Sequence, residues 1–187
     1  MSVAENGHCQ RCGHNAQWKF NLLFLSNQHL PMSIPWIIRP AVIADLRALA
    51  WLETQCFETD ALSARSLRRF VRNSMSHSHQ LWVAQTQGAE AVVVGYILIL
   101  YRCNSQIARL YSLAVHPDYQ GRGIASCLLQ TAEQDSQRHQ CRCIRLEVQS
   151  KNWMAQNLYQ RRGYCIFKTI TGYYENGDTA LRMEKCF

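Results

Sequence analysis

An apolar run at 107–115 leads through His116-Pro117-Asp118-Tyr119 into Gln120-Gly121-Arg122-Gly123-Ile124-Ala125, and apolar residues at helical spacing begin near Ser126. Strand, glycine turn and helix in immediate succession constrain the fold more than any other segment. Two glycines let the backbone take positive φ, so that successive N–H groups turn inward at the positive end of a helix, a concavity suited to a phosphate or pyrophosphate. Glycines at such a turn also serve simply as turn formers. Two commoner nucleotide loops are excluded. A P-loop needs Lys-Ser/Thr after its last glycine, and a dinucleotide fingerprint needs three glycines with a later acidic residue.

With 187 residues, 48% of them hydrophobic and 18% charged, the chain has enough apolar material for one ordinary core. No apolar run approaches the ~20 residues needed to span a bilayer, and the longest, 22–25 and 91–100, fit strands. A soluble, cytoplasmic protein with no membrane partner is expected. Nine cysteines, at 9, 12, 56, 103, 127, 141, 143, 165 and 186, are an odd number, scattered, and preceded by no cleavable signal. They read as reduced thiols, so no structural disulfide is expected. The net charge of +7 favours an anionic ligand. Part of it, Arg65, Arg68, Arg69 and Arg72, forms a helical stripe after the Ser63 cap signal, with only Phe70 interleaved. A solvated face explains that stripe better than a nucleic-acid platform does, and nucleic acid is not the expected partner.

Residues 1–35 lack sustained periodicity and read as an N-terminal extension to a domain over 36–187. Within it, His8-Cys9-Gln10-Arg11-Cys12-Gly13-His14 offers half of a zinc ribbon, without a second ligand pair at the usual spacing. A translation start at Met32 is an alternative account of this segment. From Trp36 the pattern predicts strands at 36–39, 81–86, 92–101, 107–115, 144–149, 164–171 and 179–185. Helices are predicted at 42–55, 63–73, 123–137 and 153–161. Glu175-Asn176-Gly177-Asp178 carries a hairpin signal. The order is β-α-α-β-β-β-α-β-α-β-β, an α/β chain with a mixed, mostly antiparallel sheet flanked by helices.

That order and the Gln-x-x-Gly-x-Ala loop resemble the GCN5-related N-acetyltransferases (GNAT), over about residues 36–187. The chain looks most like the ribosomal-protein-alanine N-acetyltransferases. The segments that carry the likeness are Leu113-Ala114-Val115-His116-Pro117, the glycine loop, Leu146-Glu147-Val148, Asn152, Asn157-Leu158-Tyr159, Gly163-Tyr164, Tyr173-Tyr174, and Asp178-Thr179-Ala180-Leu181-Arg182-Met183. The resemblance implies acetyl-CoA as cosubstrate and no catalytic metal. It implies that backbone groups of Leu113, Ala114 and Val115 meet the pantetheine arm. Amides of the loop Gln120, Gly121, Arg122, Gly123, Ile124, Ala125 and Ser126 would hold the pyrophosphate, and Asn152 would touch the coenzyme.

The same resemblance makes Glu147 the general base and Tyr159 the acid that protonates the departing thiolate. From the residues alone both have plainer readings. Strand alternation puts Glu147 on a face with Arg145 and Gln149, as a solvated carboxylate paired with Arg145. Tyr159, at helical spacing with its neighbours, fits a core position, and Asn152 fits a helix cap. A cysteine acceptor is a competing mechanism, but no His-Asp arrangement lies near Cys143 or Cys165 to activate a thiol.

An N-terminal α-amine, with pKa ~8 against ~10.4 for lysine, is the acceptor that a carboxylate base serves best. Tyr173 and Tyr174 fit one wall of a peptide groove or, equally, core packing. The alternatives are a small-amine acetyltransferase and a noncatalytic acetyl-CoA sensor or RNA-binding module.

Overall fold

Residues 36–57 and 61–187 are described by the computed structural model. The Cys9/Cys12 zinc reading and the Met32 start lie outside the described residues. From Trp36 the elements are β1 (Trp36–Pro40), α1 (Leu46–Cys56), α2 (Ala64–Arg72), β2 (His79–Thr86), β3 (Val93–Leu100), β4 (Ile107–Val115), α3 (Ile124–Arg138), β5 (Cys143–Gln149), α4 (Trp153–Arg161), β6 (Cys165–Ile170) and β7 (Ala180–Cys186). The order is the one expected from the hydrophobic pattern. Short 3-10 turns at Ile43–Asp45 and Pro117–Tyr119 precede α1 and the glycine loop.

Local chemistry accounts for the helix starts. The Asp45 carboxylate accepts the Val42 N–H at 2.8 Å and pairs with Arg39 at 2.7 Å, which fixes the entry to α1. Ser63 Oγ accepts the Ser66 N–H at 3.2 Å and starts α2, whose last turn carries Arg69 and Arg72 at the negative end of its dipole. Asn152 Oδ1 accepts the Ala155 N–H at 3.0 Å and starts α4. The four α2 arginines are exposed, as expected for a solvated face.

The strands form one seven-stranded sheet in the order β1-β2-β3-β4-β5-β7-β6, antiparallel except where β4 runs parallel to β5. One face packs on α1 and α2 through Leu49, Leu52, Leu67, Phe70, Tyr96 and Leu98. The other buries α3 and its neighbours through Ile97, Ile124, Leu128, Ile144, Leu146 and Met183. Alternation along β5, with Ile144, Leu146 and Val148 buried, puts Glu147 on the face of α1 and α2.

A bulge in β4 decides where the sheet opens. Leu98 pairs with Ser112 but Ile99 pairs with Leu110, which leaves Tyr111 as the extra residue. Pairing of β4 with β5 is confined to Ile107↔Cys143, Ala108↔Ile144 and Arg109↔Arg145. Beyond Arg109, β4 has no ladder partner on its β5 side. The two parallel strands therefore part near the middle of the sheet.

One expectation is corrected here. Cys143 and Cys186 are joined in a disulfide, against the expectation of none. They lie directly opposite one another in the antiparallel β5–β7 pair, with Cα atoms 4.1 Å apart, the close approach of a non-hydrogen-bonded pair. The final hairpin is close to the expected one, with β6 ending at Ile170 and β7 starting at Ala180. Gly177, at φ +80°, makes the expected turn, while Tyr173 and Tyr174 leave the ladder and donate their N–H groups to Asp178 O.

Candidate active site

The opening between β4 and β5 is a cleft of about 820 Å³ that reaches both faces of the sheet. Phe57, Leu62, Ser63 and Ser66 wall it on the side of α1 and α2, and Asn152, Ala155 and Tyr159 on the side of α4. Tyr173, Tyr174, Glu147 and Arg109 line it as well.

Glu147 is well shielded, with 12% of its side chain exposed, and each carboxylate oxygen meets a guanidinium. Oε2 lies 3.0 Å from Arg109 Nη2, and Oε1 lies 3.0 Å from Nε of Arg182, the residue opposite it on β7. The plain pairing with Arg145 is thus corrected. Arg145 binds Glu184, its own partner in the β5–β7 register. Arg109 Nη2 also donates to the Tyr173 hydroxyl at 3.2 Å, which ties the carboxylate's partner to the tyrosine pair. A carboxylate has about four lone-pair directions, so two ion pairs orient Glu147 without exhausting its acceptor capacity.

Tyr159 is buried from α4, packs edge-on to Tyr164 and lines the cleft. Burial first, and the nearby Tyr174 second, push its phenol well above the usual 10, so it stays protonated at any physiological pH. Cys56, which the sequence reading did not single out, also lines the cleft. Burial raises its thiol, and its S–H donates to Val115 O at 3.5 Å, which leaves no thiolate to attack a thioester. Cys143, at the start of β5, does not line the cleft.

Of the residues implied for the coenzyme, Leu113 and Asn152 line this cleft with Glu147 and Tyr159. Gln120 to Ser126 do not; they form a separate cradle past the end of β4. Gly121 and Gly123 take φ of +74° and +87°, and a Cβ on either would meet open space. The Cys127 N–H is the first in the helix to bond backwards, to Gly123 O at 3.1 Å, so the amides of Ile124, Ala125 and Ser126 have no intrahelical acceptor. Side chains here build the loop. Gln120 Nε2 donates to Val115 O at 3.1 Å, Arg122 donates to Asp118 O at 2.9 Å, and Ile124 is buried in the core. Ala114 is buried against α1 and α2, and Val115 in the opposite core, so a ligand could meet them only through backbone, and Val115 O already accepts from Cys56 and Gln120. An open amide cradle continuing from an unpaired strand edge fits a diphosphate joined to an amide-bearing arm. Asn152 spends its Oδ1 on the α4 cap.

A mixed sheet parted at its one parallel strand pair, with a glycine cradle opening the following helix, is the architecture that the sequence resemblance implied. The acetyltransferase (GNAT) family profile matches residues 43–164. An uncharacterized N-acetyltransferase of Methanocaldococcus jannaschii is 34% identical over 150 residues, covering 80% of this chain and 90% of that protein. The structure of the NatC complex bound to Gag peptide and CoA superposes with a TM-score of 0.70 at 24% identity, covering 81% of this chain and 98% of that one. The ribosomal-protein-S18-alanine N-acetyltransferase of Escherichia coli gives a TM-score of 0.66 at 21% identity, covering 81% and 93%. At such identities these two structures share the fold. The chain belongs to the acetyltransferase (GNAT) family. It is an acetyl-CoA-dependent acetyltransferase.

Proposed function

We propose that this enzyme moves the acetyl group directly to the α-amine of a protein N-terminus, an acceptor of the ribosomal-protein-alanine type. One observation carries the reading. The cleft is lined from both faces of the sheet and by Glu147, so donor and amine can approach one carboxylate from opposite sides. Tyr173, Tyr174, Phe57 and Leu62 then flank an extended chain end.

Acetyl-CoA supplies a thioester carbonyl, the electrophile that an uncharged amine attacks. The amides of Gly121 to Ser126 hold the diphosphate, and the unpaired edge of β4 at Leu113, Ala114 and Val115 holds the arm. Asn152 adds a coenzyme contact through its remaining Nδ2. Glu147, oriented by Arg109 and Arg182, takes the amine proton directly or through a water. The Tyr159 hydroxyl, protonated because it is buried, donates to the departing sulfur. With α-amine pKa ~8, a sizeable fraction of the acceptor is already free base at neutral pH, so the base has little work to do. Lysine at ~10.4 asks far more.

We place this activity in the cytoplasm. No described helix is long and apolar enough to cross a membrane. In a reducing compartment Cys143 and Cys186 would stand as facing thiols.

The test is thiol release from acetyl-CoA with a panel of N-terminal peptides, free lysine peptides and small amines, followed by mass mapping of the product. Acetyl on the α-amine of a peptide supports the reading. Acetyl on lysine side chains alone, or turnover with small amines alone, contradicts it.

A further inference from the structure

Glu53 of α1 is a buried carboxylate that the chemistry above does not use, only 1% exposed. Of the other buried carboxylates two are paired with cations, while Asp135 accepts from the Tyr101 hydroxyl at 3.3 Å. Asp45 is paired with Arg39, and Glu133 with both Arg162 and Lys185. Among the described residues no cation reaches Glu53, and its partners are neutral donors from three other parts of the chain. Oε2 accepts the Leu62 N–H at 2.7 Å, just ahead of α2. Oε1 accepts the Tyr96 hydroxyl of β3 and faces the Ser112 hydroxyl of β4 at 3.5 Å, and those two hydroxyls lie 2.6 Å apart.

A buried carboxylate without a cation is costly, and burial accordingly raises this one to about 6. Position 53 shares the apolar stripe of Leu49, Leu52 and Cys56, so a hydrophobic residue there would pack without that cost. What a hydrophobe could not do is hold the Leu62 amide. Leu62, Ser63 and Ser66 form the wall of the cleft that faces Glu147, and Ser112 belongs to the strand whose next residue, Leu113, lines the same cleft.

We propose that Glu53 is a positioning residue for the acceptor, which locks the α2-side wall of the cleft to β3 and β4 and so sets the distance between the bound amine and Glu147. The inference rests on the proposed reading that the amine enters from this side. Glu53 touches neither the glycine cradle nor α4, and its one link toward the donor arm is the Ser112 hydroxyl beside Leu113.

The experiment measures kcat and KM for acceptor and for acetyl-CoA separately, with E53A, E53Q, Y96F and wild type, on whichever amine the wild type turns over best. Glutamine can turn its oxygen to the Leu62 N–H and its NH2 to the hydroxyls of Tyr96 and Ser112, which can accept as well as donate. The expected result is an acceptor KM raised about tenfold or more in E53A, an acetyl-CoA KM within about twofold, and near-complete rescue in E53Q. Y96F should show a smaller rise in the same parameter. Unchanged acceptor kinetics in E53A would overturn the proposal, as would equal losses of acceptor and donor KM. If E53A does not fold, E53Q and Y96F decide: an acceptor KM raised about tenfold in E53Q, or a Y96F effect on the donor alone, overturns it. A wild type that prefers small amines refutes the α-amine reading while leaving this comparison intact.

Discussion

Arg109 of β4 reaches Glu147 of β5 at 3.0 Å across the point where the two strands part. Arg109 itself sits in the last ladder pair, opposite Arg145, and its side chain extends forward to the residue two positions beyond that partner. The ion pair thus spans the mouth of the opening and aims a carboxylate into it. Arg182 completes the hold from β7.

Tyr159→Phe keeps the ring that packs on Tyr164 and removes the proton that the reaction delivers to sulfur. Turnover is expected to fall about 10²-fold, with acetyl-CoA affinity within about twofold. Steady-state kinetics together with calorimetric titration of the coenzyme check this. A phenylalanine enzyme at wild-type kcat would remove Tyr159 from the chemistry.

Gly123→Ala forces a side chain onto a backbone at φ +87°, a strain of ~1–2 kcal/mol although the added Cβ meets no atom. Relief of that strain turns the cradle amides away, so donor affinity should weaken about tenfold. Gly88→Ala is the control. It sits at φ +116° with equally open space, between β2 and β3, and should cost stability without changing donor affinity. Equal effects of the two substitutions on acetyl-CoA binding would contradict the cradle.

Glu53 gives a pH signature in stability. Its carboxyl is raised from the usual 4.5 to about 6, so the folded state binds this proton more tightly than the unfolded chain does. Its contribution is therefore fully present below pH 4.5 and lost as pH rises to about 6, a fall of ~2 kcal/mol. Urea unfolding of wild type and Glu53→Gln across this window should show the difference between them growing in favour of the glutamine form. A constant difference would mean that Glu53 is not held in a dry site.

Element order was readable because each strand and helix carries its own periodicity, as in β5, where Ile144, Leu146 and Val148 alternate inward. Contacts set by register were not. Cys143 and Cys186 each stand one residue outside a strand of the sequence pattern, and their pairing depends on the antiparallel alignment of β5 and β7 across 43 residues. The same alignment gives Glu147 to Arg182 and Arg145 to Glu184. Tyr111 as the bulge of β4 left no local mark, because the offset exists only relative to β3. Glu53 did leave one. A carboxylate on the Leu49, Leu52 and Cys56 stripe of an amphipathic helix is a buried charge in waiting.

The most direct measurement is thiol release by Glu147→Gln across pH, paired with its acetyl-CoA dissociation constant. Glutamine keeps the shape and one acceptor oxygen but cannot take a proton. The account predicts turnover reduced by more than about 10²-fold with donor affinity essentially unchanged. A variant that retains near wild-type rate over the whole pH range would show that the amine loses its proton elsewhere.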